Sequence, residues 1–500
     1  MMALAPLVRT RQPLAALLQG MADSPVPAVQ ISGVTMDSRQ VEPGDLFLAC
    51  PGLRTHGLEH AAQAMAAGAA AIAWDAPGQP ELDAPAVHVA DLASHAGRIA
   101  SRVWQEPSRA QFVTGITGTD GKTSCAHMLA QALDAVGERC GYLGTLGYGF
   151  VDDWHAASHT TPDAVTLQAW LARLLANGAG ATALEVSSHA LAQQRVQAVE
   201  FDVAVLTNIG RDHLDYHGDM THYVAAKRRL FDQPGLQYAV VNIDDDHGRR
   251  WLATLDKGIT RIAYGLWPRV STLACQYVAL REIGIQPQGL MLQFDTSWGE
   301  LNVRSSLIGR FNAWNLAAVL AVLLAHDVAP AAAAEALQQV QTVPGRMQQI
   351  AHTIAQPLVV VDYAHTPNAL EQALLALATH ASGRVHCVFG CGGERDRGKR
   401  PLMAAAAARH ADMLWLTDDN PRGEAPQAII DDMLAGLEAT TADYVVEHDR
   451  VRAIHSAVQA AEPGDAVLIA GKGHEAWQQI GAQRRAHDDR IVARQALEAA

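Results

Sequence analysis

Long apolar runs, cysteines and an excess of basic charge are what this sequence lacks, and each absence removes a class of function. The longest aliphatic stretch, Leu316 to Ala325, falls short of the ~20 residues that cross a bilayer, so a buried helix is expected there and no membrane span. Arg9, Arg11 and Pro13 interrupt the first residues before an apolar run can form, which argues against a signal peptide. The six cysteines, at positions 50, 125, 140, 275, 387 and 391, are sparse and irregularly spaced. Cys387 and Cys391 have no second pair with zinc spacing, and no disulfide framework is visible, so a reducing cytoplasm is the expected location. Lys and Arg number 38 against 52 Asp and Glu, a formal charge of −14, which speaks against a nucleic-acid partner that clustered cations would have to neutralise. No short-period repeat and no low-complexity segment beyond an alanine bias is found.

What remains is 500 residues, 49% apolar and 18% charged, an ordered chain expected to form roughly two to four domains. From Ile31 to about Trp104 it reads as a small α/β unit, closed by the polar, Pro-containing linker Gln105 to Arg109. From about 110 to 342, short β-branched runs end in polar residues: Ala183-Leu184-Glu185, Val205-Leu206-Thr207, Val240-Val241-Asn242. With helical segments between them they predict a largely parallel sheet, whose ligands bind beyond the carboxyl ends of the strands. Weaker, alternating patterning from about 265 to 305 predicts a small antiparallel insertion. Past Thr342 to Arg346 the arrangement returns, and four strands deliver Asp362-Tyr363, Gly390-Cys391, Asp418-Asp419-Asn420-Pro421-Arg422 and Gly471-Lys472-Gly473-His474-Glu475 to their tips.

The strongest local signal is Phe112 to Ser124. An apolar run enters a loop holding Gly118, Thr119, Asp120 and Gly121, and Lys122-Thr123-Ser124 opens a segment with apolar residues at Leu129, Ala132, Leu133 and Val136, one helix face. Free N–H groups at a helix start bind anions, Lys122 adds charge, and the Thr123 hydroxyl can ligate Mg²⁺: a nucleoside triphosphate site is expected. The usual pattern wants Gly where Ile116 stands, with Gly115 one place early. Glu185, at a strand end, is a candidate Mg²⁺ ligand or an exposed loop carboxylate. His213 and His217 have the i, i+4 spacing of a zinc pair, but no Glu follows the first, and Gly218 suggests a loop. Lys227-Arg228-Arg229 reads as a solvated basic face, and Asn312 and Asn315 as helix caps.

Asp419, Asn420, Pro421 and Arg422 suit an amino-acid head group. An Arg fork pairs with a carboxylate, while Asp and the Asn carbonyl accept from an ammonium. Arg395, Arg397, Lys399 and Arg400 add four cations that suit an anionic substrate and equally a solvated loop.

In order along the chain stand Gly-Thr-Asp-Gly-Lys-Thr, Glu-Val-Ser-Ser-His, Arg-Asp-His-Leu-Asp-Tyr-His-Gly, Lys227, Asp-Tyr-Ala-His-Thr-Pro and Asp-Asn-Pro-Arg. With them the sequence resembles the Mur ligase family of cell-wall synthesis. The resemblance implies an α/β chain of three domains: residues 1–107 binding a UDP-sugar, a central P-loop-type parallel-sheet ATPase domain at 108–343, and a Rossmann-like amino-acid domain at 344–500. It implies ATP-dependent amide ligation through an acyl phosphate, with Lys122, Glu185, His213 and Lys227 catalytic. Gly118 to Ser124 would cradle ATP, with Asn312, Arg346 and Asp362 on its base, phosphate and ribose. Thr123, Glu185 and His213 would surround Mg²⁺, and Lys227 would match the family's carbamylated lysine (N6-carboxylysine), holding a second Mg²⁺.

For the UDP-N-acetylmuramoyl dipeptide, L-Ala-D-Glu, the matching positions are Met36, Ser38, Leu53, Arg54, Thr55, Thr160, Thr161, Ser187, Gln193 and Arg195. For the amino acid they are Arg395, Asp419, Asn420, Pro421, Arg422, Gly471 and Glu475. Asp-Asn-Pro-Arg favours meso-2,6-diaminopimelate over lysine, because an Arg left unpaired penalises lysine ~10² to 10⁴-fold. A monomer is expected. Alternatives are a lysine-adding ligase, a folylpolyglutamate synthetase relative, and a nucleotide-switch binding protein. Asp120 departs from the family's Asn and should point away from phosphates or toward a cation, and the first few dozen residues match poorly.

Overall fold

The structure, a computed structural model, describes residues 4–22, 24–52, 55–76, 84–151, 153–270, 272–350, 355–437 and 442–499. The chain forms two compact units: residues 1–279, 296–298 and 317–336 in the first, and 280–295, 299–316 and 337–500 in the second.

The first unit holds two larger sheets. Strands Gly33–Thr35, Asp45–Ala49, Ala71–Trp74 and Ala86–His88 lie side by side in that order, all parallel. Leu46, Leu48, Ala71, Ala73 and Val87 pack with Ile99 on one face, while Phe47, Ala49, Ile72 and Trp74 pack with Ala64 on the other. Both faces are therefore covered, which is why these strands read as continuous apolar runs.

The second sheet runs in the order Asp153–His155, Gly147–Phe150, Cys140–Gly144, Ala181–Glu185, Phe112–Thr117, Val203–Leu206, Tyr238–Asn242, Thr260–Leu266. The first two strands pair antiparallel and the rest, from Cys140 onward, are parallel. Register sets Glu185 against Ile116 and Leu206 against Thr117, so the polar residues after each strand reach one edge together. The weakly patterned stretch forms three long strands, Gln276–Gln286, Gly289–Thr296 and Gly299–Ser305, neighbours in chain order. Leu316 to Ala325 is a buried part of the helix Asn312–Ala325, and no helix among the described residues is long and apolar enough to cross a membrane.

In the second unit, strands Leu358–Asp362, Ala466–Ala470, Val385–Phe389, Met413–Leu416 and Asp443–Val446 are parallel neighbours in that order, with Gln348–Gln349 antiparallel at the edge. Alternate residues of these strands feed two cores: Val360, Cys387 and Leu468 belong to one, Val359, Val388 and Ile469 to the other. Helix starts follow capping chemistry, with the Thr366 hydroxyl accepting from Ala369 N–H ahead of Pro367, and Asp449 and Asp488 capping Arg450–Ala460 and Asp489–Glu498. The last two helices are locked by a charge pair with no exposure. Arg450 donates to Asp489 at 2.8 and 2.7 Å and to the Ala470 carbonyl at 2.9 Å, directly before the tip Gly471 to Glu475.

Removing one partner of such a pair leaves a buried charge uncompensated. Asp489→Ala should lower unfolding stability by about 3–5 kcal/mol in denaturant titrations; a loss under ~1 kcal/mol would mean the pair is not the lock described.

Candidate active site

In the first unit the strand Phe112–Thr117 ends in a loop that only glycine can follow. Gly118 has φ +153°, and a Cβ there would stand 1.8 Å from Thr207 Oγ1; Gly121 (φ +82°) precedes the helix Lys122–Ala135. The neighbouring strand end fastens the loop through its backbone. Thr119 N–H donates to Asn208 O (2.8 Å), Asp120 N–H to Asn208 Oδ1 (2.9 Å), and Thr207 Oγ1 to Asp120 O (2.6 Å). The Asp120 side chain is exposed, away from these bonds, and its charge, like that of Asp212, favours the ammonium forms of Lys122 and Lys227. Lys122 Nζ donates to Gly118 O and Thr119 O, both at 2.9 Å. Burial lowers its pKa, opposed first by Glu185. Thr123 and Ser124 occupy the first helical turn, where N–H groups have no preceding carbonyl to bond.

Glu185 is fully buried, which excludes the exposed loop carboxylate. Its oxygens accept from Thr123 Oγ1 (2.8 Å), Tyr142 OH (2.6 Å), Thr145 N–H (2.9 Å) and Thr145 Oγ1 (3.2 Å), the partners a buried carboxylate requires. A Cβ on Gly144 would lie 2.1 Å from Glu185 Oε1, so glycine makes room for the carboxylate.

Of Lys227-Arg228-Arg229, only Lys227 turns inward, correcting the solvated-face reading at that residue. It leaves the helix Met220–Arg228 with 1% exposure, donates to Gly118 O at 2.6 Å and lies 4.8 Å from the centre of the Tyr223 ring. Burial, helped by the charge of Lys122, pushes its ammonium down to about 7. His213 (φ +52°) is about half exposed and packs against His189, with ring centres 4.7 Å apart. None of the bonds on Glu185 comes from His213, and among the described residues no three His, Cys, Asp or Glu are placed to hold one metal ion.

The expected sugar-peptide residues fall into two sets. Thr160 Oγ1 meets Thr145 Oγ1 at 3.0 Å, and Thr161 Oγ1 donates to Glu185 O (2.7 Å) while accepting from Ser187 N–H (3.1 Å). Arg195 donates to Thr161 O (2.9 Å) and to Gln193 Oε1, and Gln193 donates to Tyr216 OH (3.0 Å). These five form one chain of bonds running to Glu185. Met36 is exposed, Ser38 is buried and donates to Gln63 Oε1 (3.0 Å), and Thr55 is exposed; Leu53 and Arg54 lie outside the described residues.

In the second unit, Asp362 accepts from Met347 N–H (2.6 Å) and Ala364 N–H (2.7 Å), Arg346 stands 5.0 Å from the Tyr363 ring centre, and Asn312, the first residue of its helix, donates to Ile308 O (2.9 Å). Asn315 donates to Asn312 Oδ1 (2.9 Å).

At two further strand tips the residues expected to meet the amino acid converge. Asn420 Oδ1 accepts from Lys472 Nζ (3.1 Å) and Gln479 N–H (2.8 Å), and Asn420 Nδ2 donates to Glu475 Oε2 (3.1 Å). The Asn carbonyl expected to accept a substrate ammonium is therefore already filled, and Lys472, which the sequence reading did not single out, fills it. Gly471 (φ +113°) leaves space beside Asp419 Oδ2.

Arg422 (φ +52°) is half-buried and donates Nη1–H to Gly393 O at 2.8 Å, with further N–H groups free of partners among the described residues. A Cβ on Gly392 would lie 3.0 Å from Arg422 Nη1 and 3.5 Å from Arg395 Cγ, so both arginines flank one glycine. The other three cations are braces. Arg400, without exposure, grips both oxygens of Glu424 at 3.0 Å, Asp432 at 2.8 Å and Gly392 O at 3.2 Å. Arg397 joins Glu424 at 3.0 Å and Lys399 donates to His365 O at 2.8 Å.

Comparison with known proteins gives a consistent likeness. Residues 30–104 match the Mur ligase family catalytic domain, 116–323 the Mur ligase middle domain, and 345–473 the Mur ligase glutamate ligase domain. The chain is 48% identical over 480 residues to the UDP-N-acetylmuramoyl-L-alanyl-D-glutamate--2,6-diaminopimelate ligase of Alkalilimnicola ehrlichii, covering 93% of this chain and 95% of that one. It is 47% identical to the ligase of the same name from Coxiella burnetii, over 94% and 96% of the two chains. A solved structure of a ligase of that name superposes with a TM-score of 0.78 at 33% identity, over 98% of this chain and 99% of the other.

Arg400, and secondly the Glu394 N–H, hold the Glu424 carboxyl down to about 2, so its bonds add stability that is complete above the ordinary carboxylate range and lost as pH falls toward 2. The Tm difference between wild type and Glu424→Gln should be widest near pH 6 and close as pH falls from 5 to 2; a constant difference would contradict this.

Proposed function

The chain belongs to the Mur ligase family, and we propose that it joins meso-2,6-diaminopimelate to UDP-N-acetylmuramoyl-L-alanyl-D-glutamate at the expense of ATP, a step of peptidoglycan precursor synthesis. The observation that carries this reading is the bond chain in the first unit from Thr123 through Glu185 and Thr145 to Thr160, and from Glu185 to Thr161, Ser187 and Arg195. It links a phosphate loop directly to residues assigned to the peptide whose carboxylate must be activated.

A carboxylate is a poor electrophile, so an amine cannot displace its oxygen unaided. In the proposed reaction the loop Gly118 to Ser124 and the Lys122 ammonium orient the phosphates of ATP. A glutamate carboxylate oxygen attacks the terminal phosphorus, ADP leaves, and an acyl phosphate forms. The neutral amine of diaminopimelate adds to the acyl carbon, and the tetrahedral intermediate expels phosphate and loses a proton. The enzyme's contribution is positioning and charge stabilisation.

The donor set fits Mg²⁺. The Thr123 hydroxyl and Glu185 carboxylate are hard oxygen ligands 2.8 Å apart, beside the expected phosphates. Bound there, the ion would offset the negative charge of the transferring phosphoryl group. With its ammonium pushed down to about 7 by burial, Lys227 gives up a proton near neutral pH to supply the amine that carbamylation by CO₂ needs, and its carbamate would add further oxygen ligands; His213 is assigned to the same metal region. Asn312, Arg346 and Asp362 are assigned to the nucleotide, and Met36, Ser38, Leu53, Arg54, Thr55, Thr160, Thr161, Ser187, Gln193 and Arg195 to the UDP-sugar peptide. We keep the spans 1–107, 108–343 and 344–500 for UDP-sugar, ATP and amino acid respectively.

For the amino acid, free N–H groups of Arg422, with Arg395 beside the same glycine, suit the distal carboxylate that lysine lacks. A nucleotide switch would need no such group. The enzyme is assigned to the cytoplasm, in keeping with six free cysteines, and is proposed to act as a monomer.

With both oxygens of the accepting glutamate carboxylate labelled with ¹⁸O, one label should leave in inorganic phosphate per amide formed. Phosphate released without label would contradict the acyl phosphate.

A further inference from the structure

The tip Gly471 to Glu475 places a lysine where water cannot reach it. Gly473 (φ +52°) allows the turn: a Cβ there would lie 2.7 Å from Gly345 O and 2.8 Å from Tyr363 Cβ. Between the two glycines the Lys472 side chain runs inward with no exposure. Its three N–H groups meet three acceptors, Asn420 Oδ1 at 3.1 Å, Glu475 Oε2 at 3.2 Å and Asp419 Oδ1 at 3.4 Å, with the Trp477 ring centre 5.5 Å away. Asp419 and Glu475 keep side-chain exposures of 10% and 23%, so a solute can touch them while it cannot touch Lys472.

We infer that Lys472 is a positioning residue for the amino-acid substrate, a resident ammonium that fills the Asp419–Asn420–Glu475 cage and fixes which of its atoms the substrate meets. This rests on the reading of these residues as the diaminopimelate site. Lys472 and Gln479 N–H together take the Asn420 carbonyl, which sets the amide so that Nδ2 bonds Glu475 Oε2. Asp419 and Glu475 each commit one carboxylate oxygen to Lys472, leaving Asp419 Oδ2 and Glu475 Oε1 for an incoming ammonium. Counting these charges alone, two carboxylates and one ammonium leave a single negative charge, the complement of one substrate ammonium. Without Lys472 two like charges would share the tip and the Asn420 amide would be free to turn.

The test is Lys472→Met, which keeps the side-chain length and removes the charge, in steady-state kinetics. Loss of a charge-assisted hydrogen-bond set predicts a KM for meso-diaminopimelate raised about 10 to 10²-fold, with kcat within about threefold and the KM values for ATP and the UDP-linked dipeptide unchanged. An unchanged diaminopimelate KM, or an equal change in all three, would overturn the inference. Should the variant not fold, a crystal structure of the wild type with diaminopimelate decides. The inference expects Lys472 on its three acceptors and the substrate ammonium on Asp419 Oδ2 or Glu475 Oε1; a substrate ammonium on Asn420 Oδ1 would overturn it. Wild-type turnover in the same assay separates the two claims: without diaminopimelate dependence the reading of the site itself falls, whatever the variant does.

Discussion

An ammonium removed from water must find acceptors within the protein, and both units are built at their strand tips around that requirement. In the first unit Lys227 is buried against the Gly118 carbonyl, beneath a loop that also receives both bonds of Lys122. In the second, Lys472 takes the side-chain oxygens of three residues from two strand tips, those after Met413–Leu416 and Ala466–Ala470, which the strand Val385–Phe389 separates. Parallel strands in register make this possible, because they bring the residues after each strand to a common edge. The two sites differ in how the charge is met. Lys227 bonds a single carbonyl, that of Gly118, and burial pushes its ammonium down to about 7; Lys472 bonds two carboxylates and an amide oxygen.

Close packing turns these electrostatic demands into constraints on glycine. Gly118 admits the loop against Thr207, Gly144 admits the Glu185 carboxylate, and Gly393 lies so close to Pro421 O that a Cβ would stand 1.9 Å from it. In each case the missing side chain makes room for a polar atom of a neighbouring segment. The loop carrying Arg395 and the loop carrying Arg422 are then cross-braced by Arg400 and Glu424, so both guanidinium groups are carried on a fixed frame.

Sequence was most informative where the chemistry is local. The glycine loop Gly118 to Gly121 lies in one continuous stretch, so its strand–loop–helix form could be read in place, as could the apolar helix after Asn312. Tyr142 and Thr145 could not, because they become neighbours of Glu185 only through the register of the strand Cys140–Gly144 against Ala181–Glu185. Lys227 looked like part of a solvated basic run, since three consecutive cations carry no sign of which one the helix turns inward. The Asn420 amide looked available for the same kind of reason: its carbonyl is filled by Lys472 and Gln479, more than fifty residues further along. The flanking glycines of Lys472 were the one available signal, since a lysine between two residues free to take positive φ can be directed into the fold.

The central claim, that ATP hydrolysis is tied to formation of an amide with diaminopimelate, is tested most directly by the stoichiometry of phosphate release. ATP, Mg²⁺ and the UDP-linked dipeptide would be incubated in parallel with meso-diaminopimelate, with L-lysine and with no amino acid. The account predicts one phosphate per tripeptide with diaminopimelate and little release in the other two reactions. Equal release in all three would contradict it.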